Sequence, residues 1–155
     1  MNKVINNKPI NIEILKAWYT KDYVLSRGRT LFIFGDNTQR VGMAGQATIR
    51  RCFNATGLAT KFAPSMEPSS FFSDHLLDVC KKRIDEDIEK IKTRLTRDEF
   101  FETVVFPVDG LGTGLSQLPQ RAPQVWMYLC NRLLEEFNIT TGQDGKLYFN
   151  AKDNF

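Results

Sequence analysis

Twice in this chain an uninterrupted apolar run stops at a loop that carries glycines and leads towards a helix. The first is Leu31-Phe32-Ile33-Phe34, ending at Gly35. The second is Thr103-Val104-Val105-Phe106, followed by Pro107-Val108-Asp109-Gly110-Leu111-Gly112-Thr113-Gly114-Leu115. Apolar runs without alternation predict strands buried on both faces, as in a parallel or mixed sheet covered by helices. The predicted class is therefore α/β, with a mixed central sheet flanked by helices in three layers. At 155 residues, with 42% hydrophobic residues and twelve Phe, the chain can bury one core, and a single domain over residues 1–155 is expected.

The remaining segments fit around these strands. A helix is predicted from about 44 to 54, stopped near Gly57, and a further strand at Leu58-Ala59-Thr60-Lys61-Phe62 before Pro64 and Pro68 break the chain. Leu77, Cys80, Ile84, Ile88, Ile91 and Leu95 recur at helical spacing and predict a helix over 75–95, its charged residues forming a solvated face. A last helix is predicted over 120–137, with Pro123 in its first turn. Phe32, Phe34, Ile84, Ile88, Val105, Phe106, Trp126, Leu129 and Leu133 should be largely buried. Ile10, Ile12 and Ile14 alternate as in a strand, while Ile14, Leu15 and Trp18 also suit a helix, so both readings stay open there. Lys146-Leu147-Tyr148-Phe149 suits an edge strand.

Several chemistries are set aside by composition. Cys52, Cys80 and Cys130 are odd in number and widely spaced, so neither a disulfide framework nor a metal knuckle is expected; Cys80 and Cys130 fall on apolar stripes and read as core thiols. His75 is the single histidine, and Ser73-Asp74-His75 reads as a helix cap. No metal and no cofactor are expected. Net charge is +3, which does not demand nucleic acid, whose binders usually carry a clustered basic patch, and nucleic acid is not the expected partner. No apolar run approaches the length of about 18 residues that spans a membrane. The first residues lack the apolar stretch of a secretory signal, and the expected compartment is the cytoplasm.

The paired loops carry the functional reading. In open α/β sheets ligands bind beyond the carboxyl ends of the strands. Glycines let backbone approach a ligand, and loop amides hold phosphate without side-chain charge. The spacing of Gly110, Gly112 and Gly114 is not a dinucleotide fingerprint, and no lysine follows as in a nucleotide-binding P-loop. Asp36, Asn37, Gln39, Arg40 and Gln46 add donors and acceptors able to read ribose hydroxyls, amides or phosphates. The loops at 35–46 and 109–115 are expected to meet at one end of the sheet and form a polar pocket.

The segment from Gly35 to Arg51 resembles the macro-domain stretch in which a strand ends in asparagine and a glycine-rich loop enters a helix. Phe106-Pro107 to Leu118-Pro119 resembles the second macro-domain loop. The combination of Phe34-Gly35-Asp36-Asn37, Gly45-Gln46-Ala47, Thr60-Lys61 and Asp109-Gly110-Leu111-Gly112-Thr113-Gly114-Leu115 is similar to short macro-like proteins of bacteria and tailed phages. The resemblance covers about residues 30–137. It implies binding of ADP-ribose or a related nucleotide between the loops, with Asp36 and Asn37 at the ribose. Gly35 and Gly42 to Gln46, Gly45 included, would wrap ribose and phosphate. Gly110, Gly112, Thr113, Gly114 and Leu115 would cradle the diphosphate. Met43 and Ala44 interrupt the glycine run, and Ser116-Gln117 stand where an aromatic often follows.

Three functions are consistent with this pattern. The first is a nucleotide-binding module, which in a phage would sequester a signal of host defence. The second is an ADP-ribosyl hydrolase, with Asp36 or Asp109 as base and Lys61 as nucleophile. The third is a protein-interaction inhibitor of a host enzyme, in which Arg40, Arg50, Arg51 and Lys61 touch nucleic acid or an acidic partner.

Overall fold

The computed structural model of the chain describes residues 1–150; residues 151–155 of the expected domain lie outside them. Both apolar runs form strands, and they lie side by side. Five strands, β1 (Asn2–Ile5), β2 (Lys8–Leu15), β3 (Thr30–Asn37), β4 (Ala55–Lys61) and β5 (Thr103–Pro107), make one sheet in the order β1-β2-β5-β3-β4. β2, β5, β3 and β4 run parallel, and β1 pairs antiparallel with β2, so the sheet is mixed. The ambiguous stretch around Ile10–Ile14 is strand. Its alternation is used on the sheet, and Asn6 and Asn7 turn the chain between β1 and β2 in left-handed conformations, which asparagine tolerates.

Side-chain parity along β3 explains why its run is apolar throughout. Leu31 and Ile33 enter a large core with Ile84, Ile88 and Ile91 of α2 (Leu77–Thr96). Val125, Leu129, Leu133 and Phe137 of α4 (Pro123–Phe137) join that core. Phe32 and Phe34 point the other way, into a smaller core with Tyr19, Ile49, Cys52 and Val24 of α1 (Lys21–Ser26). Both faces of the sheet are therefore covered, and each run is buried on both sides. Among the described residues no helix is long and apolar enough to cross a membrane.

Helix α2 also guards the sheet edge. The Ala59 amide of β4 donates to Asp87 Oδ2 at 2.7 Å, and Arg94 Nη1 donates to the Ala55 carbonyl at 2.8 Å. Groups that an edge strand usually shows to solvent are satisfied by the helix laid along it.

Several expectations are corrected. The helix expected over 44–54 is a short 3₁₀ turn, Gly45–Ile49; Gly45 enters it at φ +58°, outside the right-handed helical region, and the chain re-enters the sheet at Ala55. The strand expected at 58–62 runs from Ala55 to Lys61. The helix expected over 120–137 is divided into α3 (Leu118–Arg121) and α4 at Ala122. Ala122 precedes Pro123 and lies outside the helical region at φ −147°, ψ 69°, because the proline ring disfavours a helical residue before it. Trp126 is only half-buried: it sits one residue off the inner stripe of α4 and packs at the border of the core. Cys80 is fully buried, whereas Cys130 is partly exposed. Ser73 does cap the turn before α2, accepting from the His75 amide. Asp74 reaches across to accept from the Gln124 and Val125 amides at the start of α4. The strand expected at 146–149 is β7 (Leu147–Phe149), and it pairs with β6 (Ile139–Thr141) in a separate two-stranded sheet.

Candidate functional site

Strands β3 and β5 pair only from Thr30–Thr103 to Phe32–Val105 and then part. Beyond that point the chain leaves β3 towards the smaller core and leaves β5 towards the larger one, through Leu111 and Leu118. Neighbouring parallel strands whose connections depart to opposite faces open a crevice at their carboxyl ends. Tyr19 fills its floor. Its hydroxyl donates to the Ile33 carbonyl at 2.7 Å and lies 3.4 Å from the Val105 carbonyl, so backbone that the parting strands leave unpaired gains a donor. Burial holds the Tyr19 phenol well above its ordinary pKa, so it stays a donor.

The crevice widens into a cleft of about 480 Å³, lined by Gly35, Ala44, Gly45 and Gln46 from the first loop and by Pro107 to Gly110 and Gly112 to Ser116 from the second. Ala17, Trp18 and Tyr19, after β2, form its third wall. Gln46 ties the two loops together: its Oε1 accepts from the Gly35 amide at 2.8 Å and its Nε2 donates to the Gly110 carbonyl at 3.0 Å. The expectation that the loops meet at one end of the sheet therefore holds. Gln46, however, spends both ends of its amide on the protein itself.

The second loop is folded so that its amides remain available. Gly112 is at φ +85°, and a Cβ there would lie 3.0 Å from Leu118 Cδ2, so only glycine fits without displacing the core. Gln117 and Leu118 donate back to the Gly114 and Gly112 carbonyls. Among the described residues the amides of Thr113, Gly114, Leu115 and Ser116 meet no acceptor. A Cβ on Gly114 would meet nothing within 4 Å. Trp18, 82% exposed, and Leu115, 70% exposed, are apolar groups on the rim, and Asp109 is exposed beside them. No lysine or arginine lines the cleft. Among the described residues no cluster of three or more His, Cys, Asp or Glu side chains is placed to hold a metal ion.

Of the residues singled out in the sequence, Gly35, Gly45, Gln46, Asp109, Gly110, Gly112, Thr113, Gly114 and Leu115 line this cleft. Asp36, Asn37, Gln39, Arg40, Gly42 and Lys61 are not in its lining. Asp36 lies over Gly57, whose missing Cβ makes room for it, and takes Arg40 at 3.2 Å and Arg50 at 2.6 Å. Arg40 also pairs with buried Asp87. Asn37 Nδ2 donates to the Val41 carbonyl, Asn37 Oδ1 accepts from the Gln39 amide, and Arg50 Nε donates to the Gly42 carbonyl. These groups brace the first loop from behind. The expected basic stretch is thus largely neutralised: Arg40 and Arg50 face carboxylates, and Lys61 is buried. Of the three residues expected to carry hydrolysis, the cleft keeps only Asp109. Trp18 and Tyr19 were missed because the segment holding them read equally as strand or helix. An aromatic pair just past a strand's carboxyl end was the signal available.

No curated protein and no solved structure matches the chain. Over residues 14–132, which take in the third wall of the cleft and both loops, the chain matches a family model, and it belongs to that family, described as a family of unknown function, DUF7831.

Proposed function

We propose that the cleft binds a nucleotide of the ADP-ribose class, and that the chain acts as a cytoplasmic binding module of macro-like, three-layer architecture. The observation that carries this reading is the row of uncommitted amides from Thr113 to Ser116 in a cleft that the exposed Trp18 also lines, beyond parting parallel strands. Amides of this kind hold a diphosphate without a cation, and an exposed indole offers a face on which a base stacks. Asp109, an exposed residue of the lining, would accept from a ribose hydroxyl. The resemblance to phage proteins extends the proposal to sequestration of a nucleotide made in host defence.

The test is calorimetric titration of ADP-ribose into the full chain and into Gly114→Val. A side chain at Gly114 enters open space, so this variant keeps the fold and blocks the loop, whereas Gly112→Val displaces Leu118 and reports on folding instead. Saturable heat in the parent and its loss in Gly114→Val are expected. Absence of binding down to about millimolar affinity, or equal binding by the variant, overturns the reading.

A further inference from the structure

Ser116 lines the cleft at the end of the amide row, and its side chain reaches back to the sheet. Its Oγ lies 2.7 Å from Thr60 Oγ1. Thr60 is fully buried near the end of β4, and its Cγ2 would lie 3.2 Å from a Cβ on Gly112, so it packs against the second loop. A hydroxyl pair thus runs from a buried strand residue to a half-buried residue of the cleft.

Two hydroxyls bring two protons, and each proton needs an acceptor. Around Thr60 Oγ1 the acceptors are Ser116 Oγ at 2.7 Å and the Asp36 carbonyl at 3.5 Å. Hydrogen bonds between oxygens are ordinarily about 2.5–3.0 Å long, so Ser116 is the good acceptor and the Asp36 carbonyl a poor one. When Thr60 donates to Ser116, the Ser116 proton is left over: among the described residues Ser116 Oγ meets no partner besides Thr60. The reverse arrangement satisfies Ser116 and leaves buried Thr60 with only the long bond to Asp36, which costs free energy. An acceptor in the cleft resolves both states, with Thr60 donating to Ser116 and Ser116 donating to the ligand. The Ser116 amide is free as well, so one residue offers two donors.

We propose that Ser116 is a specificity-determining residue of the cleft: its hydroxyl donates to a phosphoryl oxygen of the ligand while Thr60 donates to Ser116 from behind. This rests on the reading of the cleft as a nucleotide site and adds to it a side chain that selects the phosphoryl group. A ribose hydroxyl also accepts, but an ionised phosphoryl oxygen makes a bond roughly twice as strong as a neutral one. No lysine or arginine lines the cleft, so this donor works there without competition from a cation.

The experiment is calorimetric titration of ADP-ribose into the full chain, into Ser116→Ala and into Thr60→Val, with urea midpoints confirming that each is folded. Both variants break the hydrogen bond between Ser116 and Thr60, but only Ser116→Ala removes the hydroxyl at the cleft, and valine keeps the shape of Thr60. Ser116→Ala should weaken binding by about tenfold or more, as loss of a hydrogen bond to a charged group does. Thr60→Val should weaken it by less than about threefold, since Ser116 can still donate. Binding by Ser116→Ala equal to the parent's overturns this inference alone and leaves the nucleotide reading of the cleft standing. So does an equal or larger loss in Thr60→Val, which would make the hydroxyl pair a brace of the loop and nothing more. No saturable heat in the parent overturns the nucleotide reading and this inference with it.

Discussion

Replacing Gln46 by methionine preserves the side-chain length and removes both hydrogen bonds that join the cleft loops. The Gly35 amide loses its acceptor at 2.8 Å, and the buried Gly110 carbonyl loses its donor at 3.0 Å. Each neutral hydrogen bond contributes about 0.5–1.5 kcal/mol net, and a buried group left without a partner costs about 1–3 kcal/mol. Gly35 is half-buried and can turn to water in the cleft, so the lower figure applies there and the higher one applies to Gly110. Their combination is a loss of about 3 kcal/mol, or about 6–12 °C in Tm for a chain of this size. Urea denaturation reads the change as a shift in midpoint at constant slope. Gln46→Glu adds a sign check. Its carboxylate still accepts from Gly35 but repels the Gly110 carbonyl, so its folded-state pKa lies above the unfolded value of about 4.3. Stability relative to the parent should therefore be nearly intact below that pH and fall as pH rises through the raised folded pKa. A methionine variant within about 0.5 kcal/mol of the parent, or a glutamate variant with no such pH dependence, refutes the clamp.

Three further outcomes are expected. Tyr19→Phe keeps the ring packed edge-on to Phe32 but leaves the Ile33 carbonyl without its donor, and should cost about 1–3 kcal/mol in denaturant melts. Asp87→Ala strips the Ala59 amide of its acceptor and leaves Arg40 only Asp36, and should lower stability by about 2–3 kcal/mol in the same assay. The Arg27 hydrogen bonds hold the Glu13 carboxyl below its usual range, so its contribution is present above the unfolded pKa and is lost as pH falls through the folded one. The pair is partly exposed, so Glu13→Gln should remove about 1 kcal/mol at neutral pH and nothing in acid.

What the sequence made legible was whatever burial writes as a pattern. Leu31–Phe34 and Val104–Phe106 are apolar on every residue because both faces of β3 and β5 are covered, and Ile84, Ile88 and Ile91 recur because one stripe of α2 meets the sheet. The glycines at 110–114 marked a loop whose backbone matters, and that loop does line the cleft. Side-chain direction was not legible. Asp36 and Gly35 are neighbours on one strand, yet a bulge between Asp36 and Asn37 and the room over Gly57 send Asp36 to the arginines behind the loop. Polarity alone cannot distinguish a residue that reads a ligand from one that braces the loop, and Asn37 and Arg40 are braces. Trp18 carried only a spacing with Ile14 and Leu15 that suited a helix, while its place on the cleft arises from where β2 ends.

The meeting of α2 with β4 bears on how the molecule opens. An edge strand ordinarily exchanges its outward amides with solvent by local fraying, independently of the helices behind the sheet. Here the outward Ala59 amide is held by Asp87 and the Ala55 carbonyl by Arg94, both on α2. Freeing β4 therefore means detaching α2, whose Ile84, Ile88 and Ile91 anchor the large core. Strand and helix thus form one cooperative unit, and the outward amide of Ala59 should be protected from hydrogen exchange as an interior strand's amide is. The first cleft loop, which joins β3 to β4, is carried on that unit, so this wall of the cleft hangs from a strand that opens with the large core rather than from a frayed margin.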